Sequence, residues 1–192
     1  PDTTGGTGSA ASARCRSIQR ASPGYNSISM RIALAQLNPT VGDLAGNVDR
    51  MVRAAHDSAA RGVNAVVFPE LSLTGYPPRD LVEKPSFIEA SERELERLAL
   101  ETRDLDLSVI CGYVGRSDAE TGKRALNQAA LIERGEIIFR QSKMLLPNYD
   151  VFDEARYFRP AERQHLCTVR GIPVALTICE DAWNDRDYWK HR

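Results

Sequence analysis

Gly171-Ile172-Pro173-Val174-Ala175-Leu176-Thr177-Ile178-Cys179-Glu180-Asp181-Ala182-Trp183 is an apolar run that breaks abruptly into charge. Residues 172–178 are short, continuous and β-branched at several positions, and Gly171 opens them, so they read as a buried strand. Cys179 then stands at the strand's C-terminal end, and Glu180 to Trp183 reads as the entry to a helix. A thiol on such a sharp turn has backbone N–H groups beside it, and the amide that follows can help hold an oxyanion. The same pattern also suits a plain core cysteine, since free cysteine is among the most buried residue types.

Working outward, two further apolar runs end in charge. Asn64-Ala65-Val66-Val67-Phe68 is strand-like and leads into Pro69-Glu70, which puts a carboxylate at a strand terminus. Glu136-Ile137-Ile138-Phe139-Arg140-Gln141-Ser142 is a third candidate strand, and Lys143 follows it before a loop rich in Pro, Asn, Asp and aromatics. Sites in layered α/β domains are built at such strand ends. Taken singly, each charged residue also reads as an ordinary surface side chain.

Together, Phe68-Pro69-Glu70-Leu71-Ser72-Leu73-Thr74-Gly75-Tyr76, Lys143-Met144-Leu145-Leu146-Pro147-Asn148-Tyr149 and Ile178-Cys179-Glu180-Asp181-Ala182-Trp183 resemble the three catalytic blocks of the nitrilase (carbon–nitrogen hydrolase) superfamily, in the same order. Gly75 to Leu81 and Leu146 to Phe158 most resemble the glutaminase half of glutamine-dependent NAD+ synthetases. The similarity runs from about Met30 to Arg192. The resemblance implies an α-β-β-α sandwich and a Cys-Glu-Lys triad that hydrolyses the amide of L-glutamine. Cys179 is the implied nucleophile, as a thiolate favoured by Lys143. Glu70 is the implied acid/base, and Lys143 with the Glu180 N–H the implied hold on the oxyanion. Glu154 is the candidate for a supporting carboxylate, with a surface ion pair to Arg156 or Arg159 as the other reading. Tyr76 and Tyr149 fall where the resemblance puts the substrate pocket, and either also suits ordinary amphipathic packing.

Composition narrows the classes. The chain is 42% hydrophobic and 27% charged with a net charge of −1, which removes an electrostatic case for nucleic acid or an anionic membrane. No apolar stretch approaches the roughly 20 residues of a membrane-spanning helix. Cys15, Cys111, Cys167 and Cys179 form no CxxC pair and no metal-ligand spacing with His56, His165 or His191, so no metal is expected and a reducing cytoplasm suits the chain. Cys111 and Cys167 sit inside strand-like runs and read as core.

Residues 1–29 are of another kind. Pro1 to Gly24 is rich in Gly, Ser, Ala and Thr and poor in acid, and cannot bury a core. It reads as a disordered, transit-like or non-native leader. Residues 30–192 form the hydrolase domain, opened by a first strand at 31–37. Asn47 is the expected N-cap of a helix with Val48, Met51, Val52 and Ala55 on one face, stopped by Gly62. Ser86 with Glu89 predicts a capping box for a second helix reaching about Arg103, with Leu95 and Leu98 inward. Strands follow at about 107–114, 126–133, 136–141, 165–169 and 172–178, the second and third joined by a Glu133-Arg134-Gly135 turn.

Arg192 follows closely on Cys179, whereas the family's hydrolase domain continues, so the sequence predicts a partial sandwich from a longer protein. The expected parent carries a synthetase domain and forms a homo-oligomer. ATP and magnesium are implied only for that second domain, whose phosphate-cradling loop is absent here, and no cofactor for glutamine hydrolysis. Two other readings are a stand-alone amidase of the superfamily and a non-catalytic fragment.

Overall fold

A computed structural model describes residues 29–183. The leader, apart from its last residue, and Cys15 and His191 lie outside them. Strands β1 (Ile32–Leu34), β2 (Ala65–Val67), β3 (Ser108–Arg116), β4 (Ala125–Glu133) and β5 (Glu136–Ser142) form one sheet in that order. The first three strands are parallel, and β4 and β5 continue antiparallel. Helices α1 (Leu44–Ala60) and α2 (Pro85–Glu101) are the crossovers of the parallel part.

Alternation along the strands sorts side chains between two faces. Val109, Cys111 and Tyr113 of β3, with Ala130 and Ile132 of β4, pack with Val48, Met51, Leu95 and Leu98 of the helices. Full burial of Val48 and Met51 contributes about 1.5–3 kcal/mol each. Ile110, Ala129 and Leu131 face the other way, onto a hairpin of β6 (Leu166–Val169) and β7 (Ile172–Ala175). The described residues thus stack helices, sheet and a two-stranded second sheet. They contain no second layer of long helices.

Several boundaries differ from expectation. Strand β1 covers only Ile32–Leu34 of the expected 31–37. The cap of α1 is Asp43, whose carboxylate accepts from the Gly46 N–H at 3.1 Å. Asn47 lies inside the helix, where its amide donates to the Thr40 and Leu73 carbonyls and ties two loops together. No Ser86–Glu89 box forms, because Pro85 at the first helical position starts α2 two residues earlier. Strand β7 ends at Ala175 instead of residue 178, and it is a half-exposed hairpin arm rather than a buried strand. Leu176 and Ile178 leave the ladder and bury their side chains against the sheet. The β4–β5 turn is as read: Arg134 and Gly135 both have positive φ, 51° and 85°, which matches the twist of a two-residue hairpin. Cys111 and Cys167 are buried.

Candidate active site

Strand β5 runs parallel to β2, because two antiparallel steps separate it from β3. The C-terminal ends of both strands therefore open on one edge of the sheet. Glu70 lies just past β2 and Lys143 immediately after β5. The Glu70 turn can approach the sheet because β3 has glycine at 112: a Cβ there would stand 2.2 Å from the Leu71 nitrogen. The Gly112 carbonyl accepts the Leu73 N–H at 3.0 Å and fixes the turn.

Lys143 is wholly enclosed, and its ammonium meets Glu70 Oε1 at 2.8 Å and Glu154 at 2.9 Å. Both Glu154 oxygens lie at 2.9 Å, with an N–H aligned on Oε1 and Oε2 in ion-pair contact only. Burial pulls the Lys143 pKa down, but Glu70 and Glu154 outweigh it and the net shift is upward. Burial raises the Glu154 pKa, against the pull of Lys143. Glu154 opens the short helix α3 (Glu154–Tyr157) and is 4% exposed. Its partner is Lys143, and the surface pairing to Arg156 or Arg159 is not formed; Arg156 instead lies 3.9 Å from Asp153.

Cys179 is exposed and adopts φ +47°, a left-handed backbone that L residues rarely take. It opens a single 3₁₀ turn, Cys179–Ala182, three residues past the strand, so the expected direct strand-to-helix corner is not formed. Glu70 and Cys179 share the wall of a cavity of about 300 Å³ between the sheet and the hairpin, otherwise lined largely by apolar residues such as Ile110 and Leu176. The thiol's pKa is raised: desolvation and then the charge of Glu70 exceed the opposing pull of Lys143.

Tyr76 donates to Glu154 Oε1 at 2.9 Å, and burial and that carboxylate hold its own proton tightly. Tyr149 donates to Glu180 Oε1 at 2.6 Å, and the Glu180 side chain is buried. Both rings pack near Phe152, with centroids at 6.3 and 5.7 Å. The hydroxyls are thus engaged with protein carboxylates, and the rings pack around Phe152.

Asn127 escaped the sequence reading. Its side-chain amide donates to Glu70 Oε1 at 2.7 Å, while its main-chain carbonyl accepts the Lys143 main-chain N–H at 2.8 Å, so one β4 residue holds the Glu70 carboxylate and the backbone that carries Lys143. Its Oδ1 is buried without a partner among the described residues. The available signal was a polar pair, Asn127-Gln128, inside an apolar strand. Removing a hydrogen bond to a charged acceptor costs about 1.5–3 kcal/mol. Asn127→Leu should lose stability of that order in urea titration, and Asn127→Asp should lose more by setting a second carboxylate against Glu70. An Asn127→Asp midpoint equal to wild type would show that this contact is not made in solution.

Among the described residues, no group of three or more His, Cys, Asp or Glu side chains is arranged to hold a metal. No helix among them is long and apolar enough to cross a membrane.

The carbon-nitrogen hydrolase family model matches residues 31–190. The chain belongs to the carbon–nitrogen hydrolase family. Among curated relatives of this hydrolase domain, a glutamine-dependent NAD(+) synthetase of Synechocystis sp. is 44% identical over 161 residues, covering 82% of the chain. The synthetase of Thermotoga maritima is 43% identical over 155 residues, covering 81%. The chain spans 29% and 26% of these relatives' lengths. Among solved structures, a glutamine-dependent NAD+ synthetase of Acinetobacter baumannii superposes with a TM-score of 0.70 at 29% identity, over 83% of the chain and 29% of its own. A Nesterenkonia AN1 amidase from the nitrilase superfamily gives 0.67 at 25% identity, over 77% and 55%.

Proposed function

We propose that this carbon–nitrogen hydrolase domain cleaves the side-chain amide of L-glutamine through Cys179, Glu70 and Lys143. The observation that carries this reading is the pairing of a buried Lys143, clamped between two carboxylates, with a left-handed Cys179 that shares a cavity wall with Glu70. Glutamine, rather than another amide, is chosen because relatives at 43–44% identity are named for glutamine-dependent NAD(+) synthesis.

Glu70 takes the Cys179 thiol proton as the S–C bond forms at the amide carbon. The oxyanion is held by the Glu180 N–H and by the positive field of Lys143. One such donor is worth on the order of 2.7–4 kcal/mol in the barrier. The C–N bond then breaks while Glu70 returns the proton to nitrogen, and ammonia leaves. Glu70 next deprotonates water, whose oxygen attacks the thioester; the C–S bond breaks, sulfur regains a proton and glutamate departs. Glu154 keeps Lys143 charged and in place. The Tyr76 and Tyr149 rings wall the substrate's path.

In a parent protein with a synthetase half, the ammonia serves amidation of deamido-NAD+, in the cytoplasm and in a homo-oligomer. ATP and magnesium belong to that half's chemistry, and no step above needs a cofactor. The test is release of glutamate and ammonia from glutamine by the chain and by Cys179→Ala. Turnover by the first and none by the second supports the reading; equal turnover removes Cys179.

A further inference from the structure

The Asp181 carboxylate spans the gap between the lysine loop and the cysteine turn. Asp181 Oδ1 accepts the N–H groups of Met144 at 3.0 Å and Leu145 at 2.8 Å, and Oδ2 accepts the N–H of Ile178 at 3.2 Å. Two of these amides follow Lys143 directly in the chain, and the third precedes Cys179. Lys143 has its own anchors in Glu70, Glu154 and the Asn127 carbonyl. The Cys179 turn has none of these, and its other tie to the lysine loop is the Tyr149 hydroxyl on Glu180 Oε1 at 2.6 Å. Its short 3₁₀ turn supplies only the Asp181-to-Ile178 and Trp183-to-Glu180 backbone bonds, both internal to it. Cys179 itself holds a left-handed backbone, which persists only where the surroundings over-determine it.

We infer that Asp181 is the positioning residue that sets the register of Cys179 against Lys143 and Glu70. This rests on the proposed hydrolysis, and it adds a role that none of the triad members fills. The carboxylate form is required: three N–H groups converge on two oxygens, and each bond is charge-assisted. An amide has only one acceptor oxygen. Asp181→Asn therefore keeps the bonds to Met144 and Leu145 through its oxygen but turns an NH2 toward the Ile178 N–H, donor against donor. The hold on Ile178, next to Cys179, is lost while the lysine loop stays held and the Tyr149 bond to Glu180 remains. Substrate contacts are untouched, so the loss falls on the chemical step. A misplacement of about 1 Å at a reacting group can cost about 10²-fold in rate.

Two readouts test this on the full chain. The first is steady-state glutamine hydrolysis by wild type, Asp181→Asn and Asp181→Ala. The second is alkylation of Cys179 by iodoacetamide across pH, followed on its own peptide by mass spectrometry, which needs no turnover. The expected result is a kcat for Asp181→Asn lower by about 10²-fold with KM unchanged. Its alkylation profile should differ in midpoint from wild type, because a displaced thiol no longer feels Glu70 and Lys143 in the same proportion. Asp181→Ala should show the same displacement, and circular dichroism melts identify any share due to unfolding. Wild-type kcat together with a wild-type alkylation midpoint in Asp181→Asn overturns the inference. So does an unmoved midpoint with activity lost in step with the folded fraction, which marks Asp181 as a stability residue only. Absence of glutamine turnover in wild type defeats the proposed substrate but leaves the alkylation series to decide on Asp181.

Discussion

Lys143→Met should abolish hydrolysis and destabilise the fold by about 3–5 kcal/mol, the range for removing one member of a buried ion pair. The ammonium is the only cation contacting Glu70 or Glu154 among the described residues, and Glu154 is almost fully enclosed. Without it, two carboxylates share a pocket with no counter-charge. The penalty has a predictable pH dependence. Burial and Glu70 already raise the Glu154 pKa, and losing Lys143 removes the main opposing influence. A carboxyl with a raised folded-state pKa contributes full stability below its unfolded value, about 4.3, and loses it as pH rises through the folded value. The melting-temperature gap between wild type and Lys143→Met should therefore widen from acid towards neutral pH. A gap independent of pH would mean that the carboxylates are not repelling one another. Lys143→Arg keeps the charge, yet a planar guanidinium does not fit a site shaped around a compact ammonium, so activity should fail there too.

Glu70→Gln should slow hydrolysis by about 10²–10⁴-fold, the usual worth of a general acid/base. The amide oxygen can still accept from Asn127 and Lys143, so the local structure survives while the proton acceptor is gone. Glutamine binding, measured calorimetrically in a Cys179→Ala background, should change far less than turnover. The thiol supplies an opposite signal. Glu70 is among the groups that raise the Cys179 pKa, and Lys143 lowers it. Removing the Glu70 charge should move the Cys179 alkylation profile to lower pH while turnover falls. A more reactive cysteine in a slower enzyme is the signature of a lost base. Parallel loss of binding and turnover would instead make Glu70 a pocket or folding residue, with Glu154 the next candidate for the base.

Much of this architecture was readable from local pattern. The positions of Glu70, Lys143 and Cys179 showed up because each interrupts an apolar run at its C-terminal side, a transition that depends only on neighbours in sequence. The Arg134-Gly135 turn was legible for the same reason. What escaped depends on partners far along the chain. Asn127 reaches Glu70 across 57 residues and Asp181 reaches Met144 across 37, and neither has a local signature beyond a polar residue in a strand or turn. The helix starts differ where Pro85 begins α2 ahead of Ser86 and the upstream Asp43 takes the capping role from Asn47. Strand β7 was read too long because Leu176 and Ile178 are apolar for packing, not for pairing. The direction of the thiol shift required the balance of desolvation against two opposed charges, which only coordinates provide.

The central claim is that glutamine passes through a thioester on Cys179. Acid quenching of the chain during glutamine turnover, followed by peptide mass spectrometry, tests it directly. The predicted result is one glutamyl group on the peptide bearing Cys179, absent from Cys179→Ala and from the peptides bearing Cys111 and Cys167. Glutamate production with no adduct on Cys179, and with turnover persisting in Cys179→Ala, would contradict it.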